Sequence, residues 1–315
     1  MASFPSAPIP HLNNTTGLVP VASVVGGATV VNGLAYMRGA RLDYDAWAEL
    51  GAPGWAWNDL LPYFKKSTTY TPPSAEVVRE WNVTWDPTVY DKGPLQVTLP
   101  DFQYQDLKPF WEAWRHVPGV QRKRDIGAGE GPGVYWINSS IDRRNQTRDT
   151  SRSAYYDPVA SRPNLRLLTL HRATEILFSE RGPLTATGVK VTSVKSNETF
   201  SISARKEVIL SAGSVLSVHL LQLSGLGPKA VLEAAGIKVK KDIPGIGANL
   251  QDHATITMTF NLSNQAFPNP DTITSNATYN ATVFAEYFAN KTGPIAAGSA
   301  SLGAGLALPQ FAPTS

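Results

Sequence analysis

The 315-residue chain carries 28 Lys and Arg against 25 Asp and Glu, is 42% hydrophobic and 10% aromatic, and has no cysteine. That balance describes a globular protein long enough for two or three domains, and it excludes disulfides, thiolate metal sites and cysteine nucleophiles. The basic clusters Arg122–Lys123–Arg124 and Lys238–Lys240–Lys241 are too small for a nucleic-acid footprint and read as solvated surface.

Residues 1–20 form an irregular lead-in rich in Pro and Asn, without the charged and apolar regions of a signal peptide. Next, VVGGATVVNGLAYMRG (24–39) joins an apolar run to a glycine pair, a second apolar run and an Asn-Gly step. In DYDAWAELGAPGWAWNDLLPYFKKS (43–67), the spacing predicts a helix through Trp47 and Leu50. A Gly-Ala-Pro-Gly turn follows, then a second helix capped by Asn58 or Asp59. Residues 68–150 are turn-rich and aromatic, with a helix expected around 104–116. Two aromatic pairs, Trp81/Trp85 and Tyr135/Trp136, suit either a pocket wall or a packed core.

From residue 151 the character changes to mixed α/β. SRSAYYDPVA reads as helix, NLRLLTLHRATEILF (164–178) as strand, GVKVTSV with FSISARKEVILSAG as hairpin and strand, and VLSVHLLQLSG as helix. Residues 257–315 return to low periodicity, and the apolar run Ile295–Leu308 is too short and glycine-rich to span a bilayer. The five histidines (His11, His116, His171, His219, His253) stand far apart, so no metal site is expected.

Two glycine stretches imitate phosphate loops. GAGEGPG (127–133) lacks both a leading strand and the third glycine of GxGxxG, and reads as a loop. GLGPKAVLEAAGIKVKKD (225–242) fits the GxGxxA variant, with Asp242 near the place of a ribose-binding acid, which keeps a nicotinamide dehydrogenase open as an alternative. The apolar spacing before Gly225 suits a helix end, however, with Pro228 opening the next helix and Gly236 ending it. Ten N-x-S/T sequons, beginning at Asn13, Asn14, Asn82, Asn138, Asn145, Asn197, Asn261, Asn276, Asn280 and Asn290, suggest a lineage of secreted glycoproteins.

Three co-linear stretches resemble the glucose–methanol–choline (GMC) oxidoreductase family. ASVVGGATVVNGLAYMRGARLDYD keeps that family's Gly26–Gly27, Thr29, Asn32, Tyr36, Gly39 and Asp45, but has Ser23 where a basic residue is usual and Ala28 where Gly, Ser or Thr is usual. GSVLSVHLLQLSGLG (213–227) is similar to the second family motif except at Val218. IPGIGANLQDH (243–253) resembles the family's PGVGxNLQDH turn, in which His253 is given a structural hydrogen-bonding role.

The resemblance implies an α/β fold: a discontinuous GMC-type FAD-binding domain with an α+β substrate-binding domain. The FAD segments would be 1–67 and 151–256, and the substrate segments 68–150 and 257–315. It implies FAD contacts at Gly26, Gly27, Thr29, Asn32 and Gly33 beside the flavin ring, at Ala173 on the adenine side, and at Ser211, Ala212 and Gly213 where a strand ends. Val31 stands where covalently flavinylated members have histidine, so FAD is expected to bind non-covalently.

The family's activity is hydride transfer from an alcohol to the flavin, with oxygen or a quinone as acceptor and neither nucleic acid nor membrane as partner. The family's leading GxGxxG unit and its C-terminal catalytic histidines have no counterpart in this sequence. No catalytic residue is therefore assigned, and the chain is expected to be an incomplete, inactive piece of a primary-alcohol oxidase. A lyase on the same scaffold and a non-enzymatic remnant are the alternatives.

Overall fold

The computed structural model describes residues 2–252, 266–298 and 302–305. Its fold is mixed α/β, and its contacts divide it into two units: residues 1–21 with 162–260, and residues 22–161 with 261–315.

In the first unit, strands His171–Phe178, Ala186–Ser193 and Thr199–Ser203 form an antiparallel sheet in chain order. Alternation buries Ile176 and Val191 on one face, while every residue of the edge strand Thr199–Ser203 is exposed. Only the second half of the expected strand 164–178 forms. Leu170 takes a left-handed φ of 58° just before it, and Leu167, Leu168 and Leu170 remain exposed.

The strand expected to run into Ser211–Ala212–Gly213 likewise stops at Ser203. Residues 205–211 have no ladder partner among the described residues, and Ile209 is 78% exposed. A strand is completed by its neighbour, so apolar sequence alone does not make one.

The helix Gly213–Leu223 packs on strand His171–Phe178 through a buried serine. The Ser224 hydroxyl donates to the Leu220 carbonyl (2.6 Å) and accepts the Ile176 amide (2.8 Å). The 225–242 stretch is a helix end, as its spacing predicts. Gly225 adopts a φ of 88°, the helix Lys229–Ala234 starts after Pro228, and Gly236 follows it at 68°. Asp242, the imitation ribose acid, accepts the Lys229 amide at 2.9 Å and so caps that helix.

The second unit is built on a tryptophan-rich core. Val77, Trp81, Val83, Leu99, Trp111, Val134 and Trp136 are buried together, with the Trp111 and Trp136 ring centroids 4.7 Å apart and Trp81 edge-on to Trp136 at 5.7 Å. Trp81 and Trp136 are therefore core, with Trp85 packed at its margin. The helices Arg41–Glu49 and Trp57–Ser67 form where expected, but the second is capped differently. Its N-cap is Ala56, and Asp45 of the first helix accepts the Trp57 amide at 3.0 Å, so Asn58 and Asp59 lie inside its first turn.

Trp57 is 1% exposed and also explains the GAGEGPG loop, because a Cβ on Gly129 would come within 2.7 Å of its ring. Helix Leu107–Ala113 continues as a tight turn to His116, within the span expected. Helix Ala277–Asn290, with the Asn276 side chain accepting the Tyr279 amide, arises where no periodicity was read. Its β-branched and aromatic residues blur the helical pattern.

In the same unit a buried carboxylate ties several segments together. Asp125 accepts the Tyr90 hydroxyl (2.7 Å) and the amides of Gly127 (2.7 Å) and Asp86 (2.9 Å). Burial nevertheless pushes its carboxyl above the usual carboxylate range, against the pull of those hydrogen bonds and of Arg38. The same burial raises the Tyr90 phenol. Asn138, whose Nδ2 donates to the Tyr90 hydroxyl at 3.3 Å, belongs to this network and is 5% exposed. It is thus a structural amide and not a surface sequon.

Candidate functional site

The turn over residues 26–33 lies in the second unit. Gly26 takes a φ of 104°, and a Cβ there would lie 2.9 Å from Val30 Cγ2 and 3.3 Å from Arg152 Cβ, so only glycine fits. Residues Gly27–Val30 then form a single tight helical turn. The outer face at Gly27 is open, with nothing within 4 Å of where a side chain would start.

The turn is held by a second segment, TRDTSRS (147–153), whose part in the site is not apparent from the sequence. The Thr29 hydroxyl donates to the Gly26 carbonyl (2.5 Å) and accepts the Ser151 amide (3.1 Å), and the Ser151 hydroxyl donates to the same carbonyl (2.9 Å). Arg148 Nη1 donates to the Thr29 carbonyl (3.2 Å) and to Asn32 Oδ1 (2.7 Å). Asn32 Oδ1 also accepts the Leu34 amide (3.0 Å), which closes a local turn and leaves Leu34 at a φ of 69°. Both lone pairs of Asn32 Oδ1 are thereby engaged, and its Nδ2 donors have no partner among the described residues.

Residues 147–153 are placed by the hairpin Ile141–Asp142/Thr147–Arg148 and by the buried Asp149, which accepts the Gln96 amide at 2.6 Å. The expected helix after residue 151 is a wide π-helical turn, Arg152–Tyr156, running into a tight one, Asp157–Val159. Only polar spacing could have hinted at Arg148 and Ser151, since they meet the 26–33 turn across more than a hundred residues.

A cleft of about 710 Å³ opens beside this turn. Asn32, Gly33 and Leu34 form one border, Phe102, Tyr104 and Ile273 are among its apolar lining, and Arg148 is the single charged residue on it among the described residues. Phe102 and Tyr104 meet edge to face, 4.9 Å between centroids. Burial lowers the pKa of Arg148, although a guanidinium stays protonated throughout the physiological range.

Of the residues singled out from the sequence, Gly26, Gly27, Thr29, Asn32 and Gly33 thus come together in one turn. Ala173, Ser211, Ala212 and Gly213 lie in the first unit. Ala173 is exposed beside a bulge between it and Glu175, and Ser211–Gly213 form the exposed entry to helix Gly213–Leu223. None of His11, His116, His171 and His219 is among the described residues lining the cleft, and His253 lies outside the described residues. No described helix is long and apolar enough to cross a membrane.

The other motif residues do structural work around the turn. The Tyr36 hydroxyl pairs with that of Thr68 at 2.6 Å, and the Gly39 amide donates to the Tyr44 hydroxyl at 3.2 Å.

The chain is similar in sequence and fold to known proteins. The dehydrogenase xptC of Emericella nidulans is 36% identical over 273 residues, which are 86% of this chain and 43% of xptC. An FAD-dependent oxidoreductase from Chaetomium thermophilum superposes with a TM-score of 0.93 at 40% identity, covering 99% of this chain and 53% of that one. A fungal aryl-alcohol oxidase superposes with a TM-score of 0.84 at 33% identity, covering 96% and 51%. The chain therefore spans about half the length of the relatives it matches. The GMC oxidoreductase family profile matches residues 6–255, and with the three motifs and the α/β fold this means that the chain belongs to the GMC oxidoreductase family.

Proposed function

We propose that this chain contributes the flavin-facing wall of an FAD-dependent oxidoreductase that acts on the CH–OH group of a primary alcohol and passes electrons to oxygen or a quinone. The observation that carries this reading is the 26–33 turn, pinned by Thr29, Ser151 and Arg148 and open at Gly27, at the border of an aromatic cleft. An open glycine backbone lets a flat ring lie close, where any Cβ would hold it off. The names of the relatives, a dehydrogenase, an FAD-dependent oxidoreductase and an aryl-alcohol oxidase, support the same reaction class.

The residues present fit FAD. Gly26, Gly27, Thr29, Asn32 and Gly33 would hold the ring system. Ser211, Ala212 and Gly213 would line the cofactor cleft, since the 11-residue helix they open has no side-chain cap and Gly213 has nothing within 4 Å of its Cβ position. The exposed backbone at Ala173 would meet the adenine. Bound FAD would supply the hydride acceptor. Asn32, with its oxygen locked by Arg148 and Leu34, presents its amide NH₂ as a fixed donor, and the aromatic wall excludes water from the alcohol. Val31 has no nucleophile, so the cofactor is held non-covalently. The sequons support an extracellular lineage, with Asn82, Asn145 and Asn197 as exposed acceptors; a mobility shift on deglycosylation tests that point.

Titrating the purified chain with FAD tests the central claim. Weakened but saturable quenching of flavin fluorescence is expected, with intact FAD released on acid precipitation and with Gly27→Val abolishing the signal. A chain that rejects FAD overturns the reading.

A further inference from the structure

Three residues on the cleft wall, Asn32, Tyr104 and Arg148, keep donors without partners among the described residues. Arg148 uses only Nη1, on the Thr29 carbonyl and Asn32 Oδ1, so the N–H groups of Nε and Nη2 donate to nothing among the described residues. None of the ion pairs among the described residues includes Arg148, although Arg143, Arg144 and Arg152 around it each have a carboxylate. The Tyr104 hydroxyl is buried and has no hydrogen-bond partner among the described residues. The buried phenol without an acceptor is unfavourable, and the half-buried guanidinium keeps N–H groups open to an anion. Both residues line the same cleft.

We propose that this cleft takes a flat, apolar alcohol that also carries a carboxylate, and that the carboxylate pairs with the free edge of the Arg148 guanidinium. A guanidinium edge offers parallel N–H groups that match the two oxygens of a carboxylate, and the half-buried setting strengthens the pair over one in water. The Tyr104 hydroxyl is the second donor, and Phe102 and Tyr104 supply faces for a ring. Arg148 thereby becomes a specificity residue as well as the brace of Asn32. The inference rests on the cleft being the alcohol's site.

The test measures binding of benzoate, benzyl alcohol and benzyltrimethylammonium to the full chain by calorimetry, with and without FAD. Benzoate should bind at least about tenfold more tightly than benzyl alcohol, as expected for one charge-assisted hydrogen-bonded pair, and the cation should not bind. Arg148→Gln, whose amide can still reach Asn32, should reduce the benzoate preference to about twofold, and Arg148→Lys should restore part of it. Tyr104→Phe should weaken benzoate alone, by about threefold.

Equal binding of benzoate and benzyl alcohol to the unmutated chain overturns the inference, as does a preference that survives Arg148→Gln. If Arg148→Gln fails to fold, Arg148→Lys and Tyr104→Phe decide. FAD binding without benzoate preference would remove this inference and leave the flavin reading intact; benzoate preference without FAD binding would do the reverse.

Discussion

The two stretches assigned to the cofactor differ in how much of their own geometry they carry. Residues 26–33 are fixed by side-chain hydrogen bonds from Thr29, Ser151, Arg148 and Asn32, so the turn has its shape without any ligand. Residues 205–213 have no ladder partner, an uncapped helix start and a largely exposed Ile209. The first stretch is anchored to the segment 147–153 within the unit that holds the packed tryptophan core, whereas the second leaves the edge of a three-stranded sheet whose outer strand is itself exposed. The lesson is that a preorganised wall depends on what packs behind it, not on the glycines that face the ligand.

Breaking the core should have the largest effect. Trp136→Ala removes a ring packed on Trp81 and Trp111 and should lower unfolding free energy by about 3–5 kcal/mol, read from urea midpoints. Asp125→Ala strands the Tyr90 hydroxyl and two amides, with an expected loss of about 3 kcal/mol.

Asp125 also predicts a pH dependence. Its folded pKa is raised by burial, so its contribution to stability is full below the ordinary carboxylate range and is lost as pH rises through the raised value. Asp125→Asn does not titrate and should flatten that arm above about pH 4; an unchanged curve would show that another group sets it.

Smaller effects test the contrast itself. Ser151→Ala leaves the Gly26 carbonyl and the Thr29 hydroxyl short of a partner and should cost about 1 kcal/mol, together with weaker FAD quenching. Ile209→Ser, at a site exposed and unpaired, should change stability by less than about 0.5 kcal/mol. If Ile209→Ser proves as damaging as Ser151→Ala by thermal melts, the two stretches are equally anchored and the contrast fails.

Much of this was legible in the sequence where the signal is local. The helix pair over 41–67, the helix end at Gly225 and the loop character of 127–133 follow from spacing, Pro and Gly, because those residues restrict their own backbone wherever they occur. The cap at Trp57 was misplaced because its acceptor, Asp45, comes from the preceding helix. The strand expected into residue 211 did not form because β structure needs a neighbour that sequence pattern cannot supply.

The sequence by itself determined the family, the α/β class and the glycine turn, because the glycines at 26 and 27 carry their conformational requirement with them. Only the tertiary structure decided that Arg148 and Ser151 hold that turn, that Asp242 caps a helix, and that one unpaired cation and one unpaired phenol share an aromatic cleft. Those facts depend on contacts between residues far apart in the chain, and burial, not local preference, sets their energy.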